Sequence, residues 1–410
     1  MKKLITFLLA ILLCIGEIYI YNISLDNSLK HPDKDFSKKS KALNYEACGL
    51  EKMECPSTIG ACLDKETILL LGSSEIPNVL TSNKTRRRLI PQNVYAHPET
   101  LTNQGNSNFN MMLVGVAHVQ SLEHAINIGG LEPYIKNNKV VLNLSPQWFK
   151  QGGVDPEAFA SVFSIQMMDK FMKNKNISKE LKLKVVRRSE ELLRTYPKAQ
   201  KQVSKYEDEL LGKNNNIINK ISRDWVMKFN GLKAKRTLNS LEYKTFPKDS
   251  GTLDFDTLNF EQMKKDAEEE GKAVCTNNPF YFYNGYYDTF IKPNINKLKN
   301  SAAQKGYSDP SEYGDLQLFL DVCKELDLDV LLVNIPVNGY WYDYVEFPKS
   351  ERQKYYQRVS DLAKKYNVSM LDLRNEEYNP YFFRDAYHLG WKGWVYLDEG
   401  IYKFYKKDRV

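Results

Sequence analysis

Three residues carry the chemistry this sequence offers. Ser74 ends the segment Leu69-Leu70-Leu71-Gly72-Ser73-Ser74, an apolar run that closes in a small turn. Asp385 and His388 lie close together in Arg384-Asp385-Ala386-Tyr387-His388-Leu389-Gly390-Trp391. A serine hydroxyl is a weak nucleophile. It needs a base in reach, a group that orients the base, and donors for the oxyanion. At a strand-to-helix turn Ser74 exposes its hydroxyl and offers its own N–H as such a donor. His388 is the candidate base, and Asp385 is the candidate that holds its tautomer. The order Ser, Asp, His along the chain is a known triad order, although geometry and not order defines a triad. The chemistry expected is acyl transfer or hydrolysis through a serine ester. A local alternative stands beside it: Ser73 and Ser74 cap a following helix, and Asp385 is an ordinary cap.

The remaining candidates point elsewhere. His118 and His124 fall on one expected helix, without the i, i+4 spacing of a metal pair, and read as packing or surface residues. His97 precedes Pro98 in a loop and reads as structural, with an approach to the site as the alternative, and His31 lies in a polar segment. No metal-ligand cluster stands out, and no cofactor is expected. The segment Thr276 to Tyr287 is dense in aromatics and amides, as is Asn338-Gly339-Tyr340-Trp341-Tyr342. Either could stack on sugars, wall an acyl pocket, or simply pack.

The elements that must position these residues alternate along the chain. Short apolar runs at Ile68–Leu71, Val140–Leu144, Val330–Pro336 and Val368–Leu373 read as buried strands. Helical spacing runs over Met111–Ile128, Pro310–Leu326, Ser350–Tyr366 and Gly390–Tyr405. Continuous apolar strands alternating with helices predict a parallel sheet covered on both faces. Sites in such sheets form at the carboxyl ends of strands. Gly72-Ser73-Ser74, Ser145-Pro146-Gln147 and Asn334-Ile335-Pro336 all lie there. A polar, helical insertion is expected over residues 155–244, as a lid, a docking surface or a solvated appendage.

The N-terminus, Met1-Lys2-Lys3 followed by an apolar run, reads as an uncleaved membrane anchor over residues 1–25, with a signal-peptide core over Leu4–Gly16 as the alternative. Both put the remainder outside the cytoplasm. Glu17 then sits in or near lipid, against a partner or in interfacial water. Residues 26–64 read as a stalk and 65–410 as the catalytic domain. Cys48, Cys55 and Cys62 are evenly spaced, and an extracytoplasmic location permits a disulfide among them. Cys275 and Cys323 sit in apolar surroundings and read as buried thiols. With 410 residues, of which 42% are hydrophobic, the chain has ample material for a core. The net charge of +7 is diffuse, so a nucleic-acid partner is not expected, and an anionic polymer or membrane surface suits it better.

Gly72-Ser73-Ser74-Glu75, Ser145-Pro146-Gln147-Trp148-Phe149, Thr276-Asn277-Asn278-Pro279-Phe280 and Asp385-Ala386-Tyr387-His388, in this order behind a basic N-terminal anchor, resemble the DltD family of D-alanyl transfer proteins. The resemblance covers nearly the whole chain. It implies an SGNH/GDSL hydrolase-like, flavodoxin-like three-layer α/β/α sandwich. It implies Ser74 as nucleophile with Asp385 and His388 completing the triad. Gly105 is the match for an oxyanion glycine. Gln147 stands where the wider superfamily has an asparagine, and Ser73 replaces the Asp of the GDSL-type turn. The implied reaction passes D-alanine, delivered with a membrane acyltransferase, to hydroxyls of lipoteichoic acid. An esterase or thioesterase with the same triad, or a non-catalytic scaffold of that machinery, are the other readings.

Overall fold

The computed structural model describes residues 2–30, 54, 56–61, 63–74, 96–98, 101, 106–213, 217–240 and 252–407. Five strands form one parallel sheet: β1 (Thr67–Gly72), β2 (Asn110–Gly115), β3 (Lys139–Leu144), β4 (Asp329–Asn334) and β5 (Ser369–Asp372). Their spatial order is β2-β1-β3-β4-β5. This is the doubly wound order whose switch point lies between β1 and β3. A two-residue parallel ladder pairs Asn106–Ser107 with Thr252–Leu253 outside it.

Alternate side chains of each strand enter two separate cores. Leu69, Leu71, Val140, Leu142, Val330 and Leu332 face one, and Ile68, Leu70, Val141, Leu331 and Val333 face the other. Each such buried aliphatic side chain contributes about 1.5–3 kcal/mol. Both faces must therefore be covered, which explains the continuous apolar runs. On one face lie α3 (Ser121–Leu131), α10 (Pro310–Glu325), α11 (Gly339–Tyr344) and α12 (Lys349–Tyr366); on the other lie α9 (Phe260–Val274) and α13 (Trp391–Lys406). Lys139, the first residue of β3, donates from Nζ to the carbonyls of Phe404 (3.0 Å), Tyr405 (2.8 Å) and Lys407. It thereby satisfies the carboxyl end of α13, where a cation is favoured.

The insertion is helical from Pro156 to Ser240: α4 (Pro156–Val162), α5 (Ile165–Lys173), α6 (Lys179–Leu192), α7 (Pro197–Leu210) and α8 (Ile217–Ser240). Asp155, Ser164 and Ser178 cap α4, α5 and α6 by accepting backbone N–H bonds. Arg188 of α6 holds Asp315 of α10 with three bonds, Nε–Oδ1 at 2.9 Å, Nε–Oδ2 at 3.2 Å and Nη2–Oδ2 at 3.0 Å.

Three expectations change. The helical spacing over Met111–Ile128 merges an edge strand with a helix: β2 ends at Gly115, and α3 starts at Ser121. His118 accordingly is not helical. It sits in the intervening turn with φ +81°, a left-handed conformation uncommon for a residue bearing a Cβ. The anchor over residues 1–25 is the third. α1 runs as one helix from Lys2 to Lys30, past the expected end, with Glu17 and Asn22 interrupting its apolar run. Among the described residues no helix is long and apolar enough to cross a membrane. A further short helix, α2 (Pro56–Ala61), lies inside the expected stalk and buries Ile59. Cys48, Cys55 and Cys62 lie outside the described residues, as do Glu75 and Gly105.

Candidate active site

The site begins with the two glycines that end β1 and β2. Gly72 and Gly115 are register partners, and a Cβ on Gly115 would lie 2.0 Å from the Gly72 carbonyl oxygen. Any side chain at 115 would displace the end of β1, and with it Ser73 and Ser74. The same Gly72 carbonyl accepts a 3.0 Å bond from Nε2 of buried His124 on α3. A carbonyl only accepts, so His124 carries its proton on Nε2. Burial keeps it neutral by lowering its pKa to about 3. Ser73 is buried, and its hydroxyl donates to the Val116 carbonyl at 3.4 Å. It ties the end of β1 to the exit of β2.

The second half is the loop from Phe382 to Gly390. Its stem is an isolated antiparallel bridge, Phe383 with Leu389, and bonds from Arg384 N to His388 O (3.0 Å) and Gly390 N to Phe382 O (2.8 Å). Buried Phe382, Phe383, Leu389 and Trp391 hold the stem. Within the loop, Oδ1 of Asp385 accepts the N–H groups of Tyr387 (3.1 Å) and His388 (3.0 Å). This Asx turn is what so short a spacing permits. It leaves Oδ2 to meet Nδ1 of His388 at 2.8 Å. Two other segments clamp the loop: Tyr283 N donates to Arg384 O (2.9 Å) and Asn338 N to Ala386 O (3.0 Å).

The halves meet between Ser74 Oγ and His388 Nε2, 2.8 Å apart. Ionised Asp385 only accepts, so Nδ1–H donates to it and Nε2 is left with its lone pair facing the Ser74 hydroxyl. Burial alone would raise the Asp385 carboxyl. The positive charge that His388 carries when protonated, its hydrogen bond and nearby Arg384 outweigh that and pull the carboxyl down to about 2. The arrangement can accept a proton from Ser74 and stabilise the imidazolium that results.

Gln147 follows the end of β3, lies beside the Tyr387 side chain, and its Oε1 accepts from Lys150 Nζ at 3.5 Å. Burial and the Asp385 charge push the Tyr387 phenol up to about 12. His97 is buried against Trp394 at 4.5 Å between ring centroids. Burial, followed by the Arg384 charge, lowers its pKa to about 3. The aromatic segment after Thr276 packs behind the loop: Phe280 and Phe282 are buried, and Phe280 meets Trp341 edge-on at 5.1 Å. Cys275 and Cys323 are buried, and burial pushes the Cys275 thiol up to about 12, away from nucleophilic use. Among the described residues no group of three His, Cys, Asp or Glu side chains forms a metal site.

Arg384 and Tyr387 had no role assigned from sequence, and His124, expected as a packing or surface residue, is buried as a packing residue with a bond to Gly72 that was not foreseen. The first two stand inside the quoted motif, so adjacency was the available signal. The His124–Gly72 contact joins residues 52 positions apart and has no local signature.

A family model described as DltD protein matches residues 59–406. The chain belongs to the DltD family. Protein DltD of Bacillus subtilis (strain 168) is 32% identical over 317 residues, 77% of this chain and 79% of the relative. Protein DltD of Staphylococcus aureus (strain NCTC 8325 / PS 47) is 27% identical over 76% of this chain and 77% of its own length. The DltD of Lacticaseibacillus rhamnosus is 29% identical over 77% and 75%. The DltD match spans both halves of the site, from β1 to α13.

Proposed function

We propose that this DltD family member is a serine acyltransferase that esterifies lipoteichoic acid with D-alanine. The observation that carries the reading is the hydrogen-bonded series Ser74–His388–Asp385, with 2.8 Å at both links. In the first half-reaction Ser74 Oγ attacks the carbonyl carbon of an activated D-alanyl donor, and its proton moves to His388 Nε2. The leaving group departs with that proton, and a D-alanyl ester remains on Ser74. In the second, a polyol-phosphate hydroxyl gives its proton to His388 Nε2 and attacks the ester carbonyl; the Ser74 Oγ–acyl bond breaks, and Oγ takes the proton from His388, which restores Ser74 and leaves the D-alanyl ester on the acceptor. Asp385 keeps the imidazole in the Nδ1–H tautomer and stabilises the imidazolium in both halves. The Ser74 N–H, Gly105 and the Gln147 amide are the proposed oxyanion donors, and Ser73 positions the turn. The 2-1-3-4-5 strand order, with the site at the switch point, favours the SGNH-like classification.

Delivery of the donor by a membrane acyltransferase, and attachment of the protein to the outer face of the membrane through α1, belong to the same proposal. Many apolar side chains of α1 are exposed, among them Leu9, Leu12, Leu13 and Ile20. The test is the D-alanine ester content of lipoteichoic acid in a deletion strain. Wild type is expected to restore the esters and Ser74→Ala to leave them absent. Restoration by Ser74→Ala makes the protein a scaffold. Unchanged esters in the deletion strain turn the same triad into that of an esterase on another substrate.

A further inference from the structure

The insertion carries a second surface, unconnected with Ser74. α8 packs inward through one stripe. Met227 and Ala234 are buried there. Arg223 lies over the Tyr206 ring at 4.6 Å and pairs with Glu209, Asp224 pairs with Lys173 at 2.8 Å, and the Met227 carbonyl accepts from Gln166 at 2.9 Å. The opposite stripe ought to be polar on a helix that only meets water. It is not. Ile221, Trp225, Val226 and Phe229 are exposed by 53, 41, 45 and 65%.

The helix that carries the stripe is cationic, although Glu54 and Asp169 also line the cleft beside it. Residues 217–240 hold Lys220, Arg223, Lys228, Lys233, Lys235 and Arg236 against the single acid Asp224, which Lys173 neutralises. Lys228, Lys233 and Arg236 are exposed, and Lys228 sits 5.6 Å from the Trp225 ring centroid. Exposed Trp and Phe, with Lys233 and Arg236 following Phe229 at i+4 and i+7 on the same outward side, is the composition of a helix that lies in a membrane interface, its long basic side chains reaching the headgroups. A buried protein–protein core, by contrast, is depleted in lysine. The stripe is also continuous with α1. Ile15, Ile18 and Tyr19 of α1 share a cleft of about 510 Å³ with Trp225, Phe229 and Leu232 of α8.

We propose that the outward face of α8 docks on anionic lipid headgroups, beside α1, with Trp225 and Phe229 at the headgroup–acyl boundary and Lys228, Lys233 and Arg236 on the anionic surface. The helical insertion is then a membrane-bound brace that holds the body of the protein at a set attitude to the bilayer. The inference rests on the reading of α1 as the membrane attachment and is independent of the Ser74 chemistry.

Hydrogen exchange of the full-length chain on lipid nanodiscs tests this. Exchange over residues 217–240 is expected to be about tenfold slower on phosphatidylglycerol discs than on phosphatidylcholine discs, as three lysine or arginine contacts near an anionic surface would allow. Trp225→Glu with Phe229→Glu, and separately Lys228→Glu with Lys233→Glu, should abolish the difference while D-alanyl transfer to a soluble acceptor is unchanged. Equal exchange of α8 on both discs, in a chain still held by α1, overturns the proposal alone. A chain that binds neither disc overturns it together with the α1 attachment. Protection that appears only with discs made from native membranes, proteins included, assigns the face to a protein partner and overturns the lipid assignment.

Discussion

The carboxyl edge of the sheet and the outer wall of the insertion are built on opposite plans. At the sheet edge the polar side chains with chemistry are few and largely buried, and each is held by several others: Asp385 is 4% exposed and accepts from two backbone N–H groups, the His388 ring and Arg384. On α8 several large apolar groups face outward beside exposed Lys228, Lys233 and Arg236, while Arg223 is turned toward the body. The first plan fixes one geometry at a point, as bond-making chemistry requires. The second spreads a weak, additive attraction over a surface, as docking requires. The two regions should therefore fail in different ways.

The largest separation comes from the site itself. Ser74→Ala or His388→Ala should cut D-alanyl transfer by about 10³-fold or more, without moving the thermal midpoint. Asp385→Asn removes the acceptor that sets the tautomer and should cost about 10²–10⁴-fold in kcat, read in the same transfer assay. No substitution on the outer face of α8 should approach this. Gly115→Ala is the next step down. It forces the β1 and β2 ends apart and should cost about 1–3 kcal/mol in urea unfolding, together with a loss of transfer, since Ser74 follows the displaced residue. Arg188→Met leaves buried Asp315 uncompensated and should cost about 3 kcal/mol of stability with little change in kcat at permissive temperature. If kcat falls with it, the two regions are coupled after all.

The smallest effect is a pH slope. His124 has its folded pKa depressed to about 3, below the unfolded value of 6.5. Its contribution is fully present above pH 6.5 and is lost as pH falls toward 3, because only the unfolded chain takes up the proton. Between pH 7.5 and pH 5 it should account for about 2 kcal/mol of lost stability. The difference between wild type and His124→Gln in urea unfolding isolates that slope. A flat difference places a charged or solvated His124 in the folded protein.

Much of this was legible residue by residue. Apolar runs with little polar alternation can be satisfied only between two covered faces, so β1, β3 and β4 were readable from their runs alone; β5 lies where the run Val368–Leu373 puts a strand, but as an edge strand it is half-buried and not buried as expected. Caps at Asp155, Ser164 and Ser178 are local chemistry as well. β2 was not readable: its apolar residues run on into those of α3, and the turn between them carries no proline to separate the two periods. The exposed stripe of α8 was equally hidden. A helix with an apolar residue at every fourth position looks the same whether that side faces the core or the solvent.

The sequence by itself determined the chemical inventory and its local poses. It holds a serine after a strand, and an aspartate spaced so that an Asx turn can aim its second oxygen at the histidine ring. Tertiary structure alone decided that Ser74 and His388, 314 positions apart, lie 2.8 Å from each other. It also decided that His124 holds the Gly72 carbonyl, two residues before Ser74, and that the apolar stripe of α8 faces out. Backbone hydrogen bonding and side-chain spacing act over a few residues and leave their mark in the string. Contacts between distant elements depend on which faces pack together, and that is settled only when the whole sheet assembles.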